Sequence, residues 1–175
     1  MTTDADAGFS ALVQRQSGFV FKVAYAVLLN SYDAEDAVQE TFLKLYRNRG
    51  WKQANNERAF LARVAWRTAV DLRRRSSPGS SGSPDSAVLN ELPSLKPDPE
   101  ETLSSANEQA AIHVLIDSLA EDLRVPLVLS SFEALNSREI GEILGIPEGT
   151  VRTRLQRARE ILRQKLLARK ETRYA

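Results

Sequence analysis

The stretch Asn136–Arg159, NSREIGEILGIPEGTVRTRLQRAR, decides how the C-terminal half is built. Asn136 is placed to cap a helix, and Glu139, three residues on, can return a bond to the Asn136 amide in a capping box. Ile140, Ile143 and Leu144 form one apolar stripe. Gly145 supplies the left-handed residue that ends the helix, and Pro147 suits the first position of the next. In that second helix Val151, Leu155, Ala158 and Leu162 recur at four, three and four residues, so they face inward. Arg152, Thr153, Gln156, Arg157 and Arg159 are left outside, with Arg154 at the boundary. Two short helices, a glycine turn and an arginine-rich second helix predict a helix-turn-helix, whose second helix enters the major groove of duplex DNA. Residues near the N-terminus of such a helix reach base edges, which makes Arg152 and Thr153 the expected base readers, with Gln156 a further polar contact. Arg157, Arg159 and Arg163 are better placed for phosphates. The rival reading of the same residues is an arginine-rich amphipathic helix with a solvated face.

Outward from this motif, composition narrows the rest. The 175 residues suffice for one ordinary domain or two small ones, and 42% hydrophobic with 27% charged residues is the balance of a soluble globular chain. With no cysteine and a single histidine, His113, neither a thiolate metal site nor a Ser-His-Asp triad is expected, and no catalytic residue, metal or cofactor is assigned. His113 reads as a packing or surface residue. No signal peptide or membrane-length apolar run is visible, so the expected location is the cytoplasm, without membrane insertion.

The net charge of +1 conceals strong segregation. Residues 47–75 carry nine basic and two acidic side chains, residues 76–108 one basic and six acidic, and residues 137–175 ten basic and five acidic. Two basic blocks around an acidic one suggest two contacts with a polyanion, the alternative being solvated helix faces. Residues 76–108 hold five of the seven prolines among repeated Ser and Gly, which is linker composition.

All-α structure is expected throughout. Residues 9–29 repeat apolar positions on a helical period. A second helix is expected over Ala34–Arg47, capped by Asp33 and burying Val38, Phe42 and Leu45. Its opposite side carries Asp36, Gln39, Glu40 and Leu43, and a leucine among carboxylates hints at a protein-binding face. A loop with Trp51 precedes a third helix, Glu57–Arg75, that ends in Arg73-Arg74-Arg75. The triplet complements the helix dipole, but Arg63 and Arg67 lie too far back for that and suggest a basic face resting on phosphates. A helix from Ala106 to Leu119 and another from Glu121 to Phe132, containing Pro126, are expected before the helix-turn-helix.

Taken together, the chain resembles the bacterial extracytoplasmic-function sigma factors, the minimal two-domain group of the sigma-70 family. YDAEDAVQETFLKLYR (Tyr32–Arg47) is similar to that family's core-polymerase-binding helix. ERAFLARVAWRTAVDLRRR (Glu57–Arg75) is similar to its promoter-melting, minus-ten helix, and Leu115–Leu162 to its minus-thirty-five domain. The resemblance implies a region 2-like domain over residues 1–75, an acidic linker over 76–108 and a region 4-like domain over 109–175. It implies that Asp36, Gln39, Glu40 and Leu43 face the clamp helices of the largest polymerase subunit, with the flap of the second largest as a further contact. Trp51, Asn55 and Asn56 would lie in or near the loop that captures a flipped minus-ten base. Arg63, Arg67, Arg73, Arg74 and Arg75 would hold the melted region. Arg152, Thr153, Arg154, Gln156, Arg157 and Arg159 would grip the minus-thirty-five element. Promoter DNA, core RNA polymerase and an anti-sigma protein are the implied partners. One departure stands out: where the family reads Ala-Arg-Asn-Leu-Ala-hydrophobic-Asp, this chain has Ala65-Trp66-Arg67-Thr68-Ala69-Val70-Asp71. Trp66 is then either a core filler or an extra stacking platform. The rival function is a stand-alone helix-turn-helix regulator, which would not need the Tyr32–Arg75 motifs.

Overall fold

A computed structural model describes residues 4–76, 99–132 and 135–174, and among these the ordered elements are all helical. They are α1 (Asp4–Leu28), α2 (Ser31–Asn48), a 3₁₀ turn (Gly50–Gln53), α3 (Glu57–Ser76), α4 (Pro99–Asp117), α5 (Glu121–Ser130), α6 (Ser137–Leu144) and α7 (Glu148–Tyr174). Most of the expected linker, residues 77–98, lies outside the described residues.

α1 is the axis of the molecule. Its Leu12, Phe19, Val20, Val23, Ala24 and Val27 are buried, and it packs against α2, α3 and α5. Burying each large aliphatic side chain contributes about 1.5–3 kcal/mol, so a helix with this many inward positions can organise partners on several sides. The helix begins at Asp4, earlier than the first apolar residue at Phe9 announces. The cap of α2 also differs from expectation. Asn30, not Asp33, holds the N-cap, and its side chain accepts the Asp33 amide at 3.1 Å. Leu29, at φ 52°, turns the chain back so that this cap can form. At the other end of α2 the left-handed residue is Arg49 (φ 49°), whose amide donates to the Leu45 carbonyl.

α4 starts at Pro99, seven residues ahead of Ala106, with proline at the first helical position where its missing N–H costs nothing. His113 is exposed on α4. In α5, Pro126 is buried at the sixth position; it removes one bond to the Asp122 carbonyl, and the helix continues to Ser130 rather than Phe132.

The helix-turn-helix forms as expected. Asn136 and Glu139 make both halves of the capping box, and Gly145 (φ 68°) is the left-handed C-cap. Val151, Leu155 and Ala158 are buried, and Leu162 is half-buried. The tightest approach is at Gly141, where a Cβ would meet the Ile146 carbonyl oxygen at 2.7 Å. The Ile146 amide donates to the Gly141 carbonyl at 3.0 Å, so α6 closes on the backbone of the turn that follows it.

The apolar core does not divide at the linker. One continuous cluster runs from Leu12 through Leu61 and Ala65 to Leu129, Ile140, Val151 and Leu155. A smaller one joins Leu119, Leu123 and Ala158. The halves therefore pack face to face, α1 on α5 and α3 on α6.

The backbone contact at Gly141 generates a paired prediction. Gly141→Ala forces the Ile146 carbonyl to move and should destabilise the chain by about 1–3 kcal/mol, as overpacking does. Gly149→Ala, where an added Cβ meets nothing within 4 Å, should be neutral or stabilising by up to about 1 kcal/mol. Urea unfolding followed by circular dichroism compares them; equal losses from both would contradict the packing described.

Candidate nucleic-acid interface

The exposed face of α7 follows from its period. With Val151, Leu155 and Ala158 turned inward, Arg152, Thr153, Gln156, Arg157 and Arg159 are exposed. Thr153 bonds back to the Gly149 carbonyl at 3.0 Å, which fixes its rotamer. Arg152 is paired with Glu148 one turn earlier, with 70% and 41% of the two side chains exposed. Such a surface pair is worth about 0–1 kcal/mol, so it positions Arg152 without holding it. Arg163 is similarly engaged by Glu160 at 3.0 Å. Arg154 takes a different direction from its neighbours. It is half-buried and lines a cleft of about 250 Å³ against Trp66, Val125 and Ile146.

The second arginine face, on α3, is split. Arg67, Arg74 and Arg75 are exposed, whereas Arg63 and Arg73 are half-buried. Arg63 has a buried Nε without a hydrogen-bond partner. Arg73 pairs with Glu121 of α5, and Arg75 makes two bonds of 2.9 Å to Glu40 of α2. Trp66, half-buried, is a wall of the cleft between the two halves rather than part of the innermost core.

The loop before α3 is assembled from both sides. Trp51 packs against Phe9, ring centroids 6.1 Å apart, with the Lys52 ammonium 5.5 Å from the Trp51 ring. Asn55 is exposed. Asn56 caps α3, accepting the Ala59 amide at 3.1 Å, while its Nδ2 donates to Glu139 of α6 at 2.7 Å.

On α2, Asp36, Gln39 and Leu43 are exposed, Leu43 to 54%, and Tyr32 (74%) and Tyr46 (45%) extend this surface. The two tyrosines escaped notice in the sequence, where aromatic residues at helical spacing look like core. Glu40 is only partly available: it bonds Lys44 at 3.1 Å as well as Arg75. Burial alone would raise its pKa most, but the bonds from Lys44 and Arg75 outweigh that and hold its carboxyl below the ordinary value.

The contact between halves contains residues that sequence reasoning did not single out. Arg124 of α5, 5% exposed, donates to the Ala26 carbonyl at 2.7 Å and the Leu119 carbonyl at 2.6 Å. Ala26 lies in the last turn of α1, where carbonyls lack helical donors. The guanidinium thus caps a helix of the other half and meets the negative end of its dipole. Burial lowers the Arg124 pKa, against the charges of Glu121 and Asp117. Beside it, Tyr25 donates to Asp117 at 3.3 Å, and the rings of Phe19 and Phe132 meet edge-on at 4.6 Å. Arg58 stands 5.4 Å over the same Phe19 ring.

With this geometry established, likeness to known proteins can be placed on it. Residues 12–78 match sigma-70 region 2, and residues 109–162 match sigma-70 region 4. A region 2 helical unit followed by a region 4 helix-turn-helix defines the sigma-70 class. The ECF RNA polymerase sigma factor SigW of Bacillus subtilis is 31% identical over 170 residues, covering 93% of this chain and 90% of its own length. SigE of Mycolicibacterium smegmatis is 33% identical over 156 residues, covering 89% of this chain but 60% of its own length. The sigma-E factor of Escherichia coli is 33% identical over 169 residues, covering 90% and 86%. The fold is shared with RpoE of Bartonella quintana, solved with the anti-sigma factor NepR (TM-score 0.65, 21% identity, covering 91% of this chain and 96% of that one). It is shared also with CnrH, solved with the cytosolic domain of CnrY (TM-score 0.61, 21% identity, covering 93% and 90%). The chain belongs to the extracytoplasmic-function sigma factors of the sigma-70 family. Among the described residues no helix is long and apolar enough to cross a membrane.

The polar contact between halves gives a pH prediction. Burial raises the Asp117 pKa, and the Tyr25 bond and the Arg124 and His113 charges only partly offset it. The folded chain therefore holds this proton to higher pH than the unfolded chain, so the site costs stability as pH rises above the ordinary carboxylate range. Asp117→Asn, which can still accept from Tyr25, should raise Tm at pH 7. The advantage should shrink as pH falls from the raised folded-state value toward the unfolded carboxyl's and be gone below it; an advantage independent of pH would contradict this account.

Proposed function

We propose that the chain acts as a sigma subunit. It binds core RNA polymerase through the α2 surface at Asp36, Gln39, Glu40 and Leu43, and carries the enzyme to a promoter with two elements. The observation that carries this reading is the pairing of two separate arginine faces, on α3 and α7, with an exposed acidic and apolar patch on α2. A stand-alone regulator needs only the α7 face. In the proposed division of labour, Arg152, Thr153 and Gln156 read bases of the minus-thirty-five element, and Arg157 and Arg159 hold its phosphates. Arg154, turned toward the cleft, joins them once the halves part. Trp51, Asn55 and Asn56 form the minus-ten loop, where an extruded base is held by stacking and hydrogen bonds. Arg63, Arg67 and Arg73–Arg75 hold the melted strand. Region 2-like function is assigned to residues 1–75, linking to 76–108, and region 4-like function to 109–175.

The chain makes and breaks no bond itself; nucleotidyl transfer belongs to the polymerase, and the site of action is the cytoplasm. The flap of the second largest subunit is a further contact. An anti-sigma partner is part of the proposal, supported by the complex in which the Bartonella relative was solved.

Two measurements test it. Leu43→Asp alters an exposed residue, so the fold should persist while affinity for core polymerase falls by about tenfold or more, roughly 1.4 kcal/mol; unchanged affinity would remove α2 from the interface. With the polymerase complex on promoter duplexes, Arg152→Ala should cost about 1–3 kcal/mol and relax preference at one position, whereas Arg157→Ala should weaken all sequences alike and reduce the salt slope by about 1. Equal loss of discrimination from both would refute the assignment.

A further inference from the structure

The first turn of α7 holds two residues to which no DNA contact has been assigned, Glu148 and Gly149. Arg152, Thr153 and Gln156 follow Gly149 at three, four and seven positions, so the four share one side of the helix, and all are exposed. Glu148 stands beside that row, and its Oε1 accepts a bond from Arg152 Nη2.

A carboxylate in this place opposes binding. It faces the same phosphates that Arg157 and Arg159 are expected to hold, and like charges repel. The positive end of the α7 dipole favours an acid anywhere in the first turn, but it does not require one aimed at Arg152. Orientation supplies a reason. An arginine side chain has many rotamers, and a two-pronged bond to a base edge must freeze them. A carboxylate one turn back selects those that lay the guanidinium toward the head of the helix. The bond takes up only one part of the planar fork, and the remaining N–H groups stay available to a base.

In water such a pair is weak, and it strengthens where a duplex excludes solvent. Gly149 favours that exclusion. It is exposed, and an added Cβ would meet nothing within 4 Å. No packing in its surroundings calls for glycine, although glycine costs a helix stability. The missing side chain leaves the surface low beside the pair, where a base edge can come close.

We infer that Glu148 is a positioning residue for base reading by Arg152. The inference rests on the minus-thirty-five reading of α7 given above. Glu148 lowers affinity for every duplex through its charge and sharpens the choice at one base pair through its bond. The two effects have opposite signs, which separates this role from a merely structural one.

The test uses the chain assembled with core polymerase. The complex is presented with a genomic fragment on which it starts transcription, and with single-base variants of that fragment across the upstream element. The parent should favour one base at the position that Arg152→Ala relaxes. Glu148→Ala keeps a good helix former, so helix content should be unchanged. It should bind all the fragments about twofold or more tightly at low salt, while preference at that one position falls by about fivefold or more. In the Arg152→Ala background the same change should leave preference there as it was. Preference untouched by Glu148→Ala, weakened equally at every position, or reduced further in the Arg152→Ala background overturns the positioning role. A parent complex without preference at any upstream position would instead sink the minus-thirty-five reading itself, and the inference with it.

Discussion

The arrangement of the two halves depends on one buried cation. Arg124 is nearly excluded from solvent, and a guanidinium cannot escape the cost of burial by losing its proton. It needs acceptors, and it takes them from both halves: the Leu119 carbonyl at the turn before its own helix and the Ala26 carbonyl at the end of α1. Once that end is fixed, Phe19 meets Phe132, Tyr25 reaches Asp117, and α6 comes to rest on α3. A core of aliphatic side chains alone would leave the angle between halves loosely determined, since apolar burial is non-directional. The polar contacts specify it.

This closed arrangement divides the basic residues into two groups with different prospects. On α7 the outward row is presented, and its restraints are local: Thr153 bonds back to Gly149, and the surface pair of Arg152 with Glu148 is weak. On α3 the face that includes Trp66 and Arg73 looks into the contact between halves, while Arg67 and Arg74 look out. Of the alternatives that the sequence left for the unusual Trp66, the structure lies nearer the core filler: the side chain packs against the main apolar cluster. It is a half-buried residue at the rim of a cleft. Arg75 and Glu40 tie the end of α3 to the side of α2 proposed to bind polymerase, so the proposed polymerase and DNA surfaces share an ion pair.

What the sequence revealed, and what it hid, follows from the range of the interactions. The helix-turn-helix was legible residue by residue because its determinants are local: Asn136 and Glu139 lie three apart, Gly145 and Pro147 sit at one turn, and the Val151–Leu155–Ala158 stripe repeats on a fixed period. The exposed faces of α2 and α7 followed from the same periods. Cap choice at α2 was less legible, because Asn30 and Asp33 are both competent caps and Leu29 in a left-handed conformation decides between them. The contact between halves was not legible at all. Arg124 in SLAEDLRVPL looks like any surface arginine on an amphipathic helix, Glu139 had a sufficient local role in the capping box, and Asn56 stood only in a loop. Nothing in spacing links residues 83 or 98 positions apart.

Transcription in vitro bears most directly on the central claim that this chain gives a polymerase its promoter choice. Core RNA polymerase is supplied with genomic fragments, with and without the purified chain, and the transcript starts are mapped. The account requires a set of starts that appears only when the chain is added and that shares two spaced upstream elements. Starts unchanged by the chain, with no association between chain and core, would contradict it.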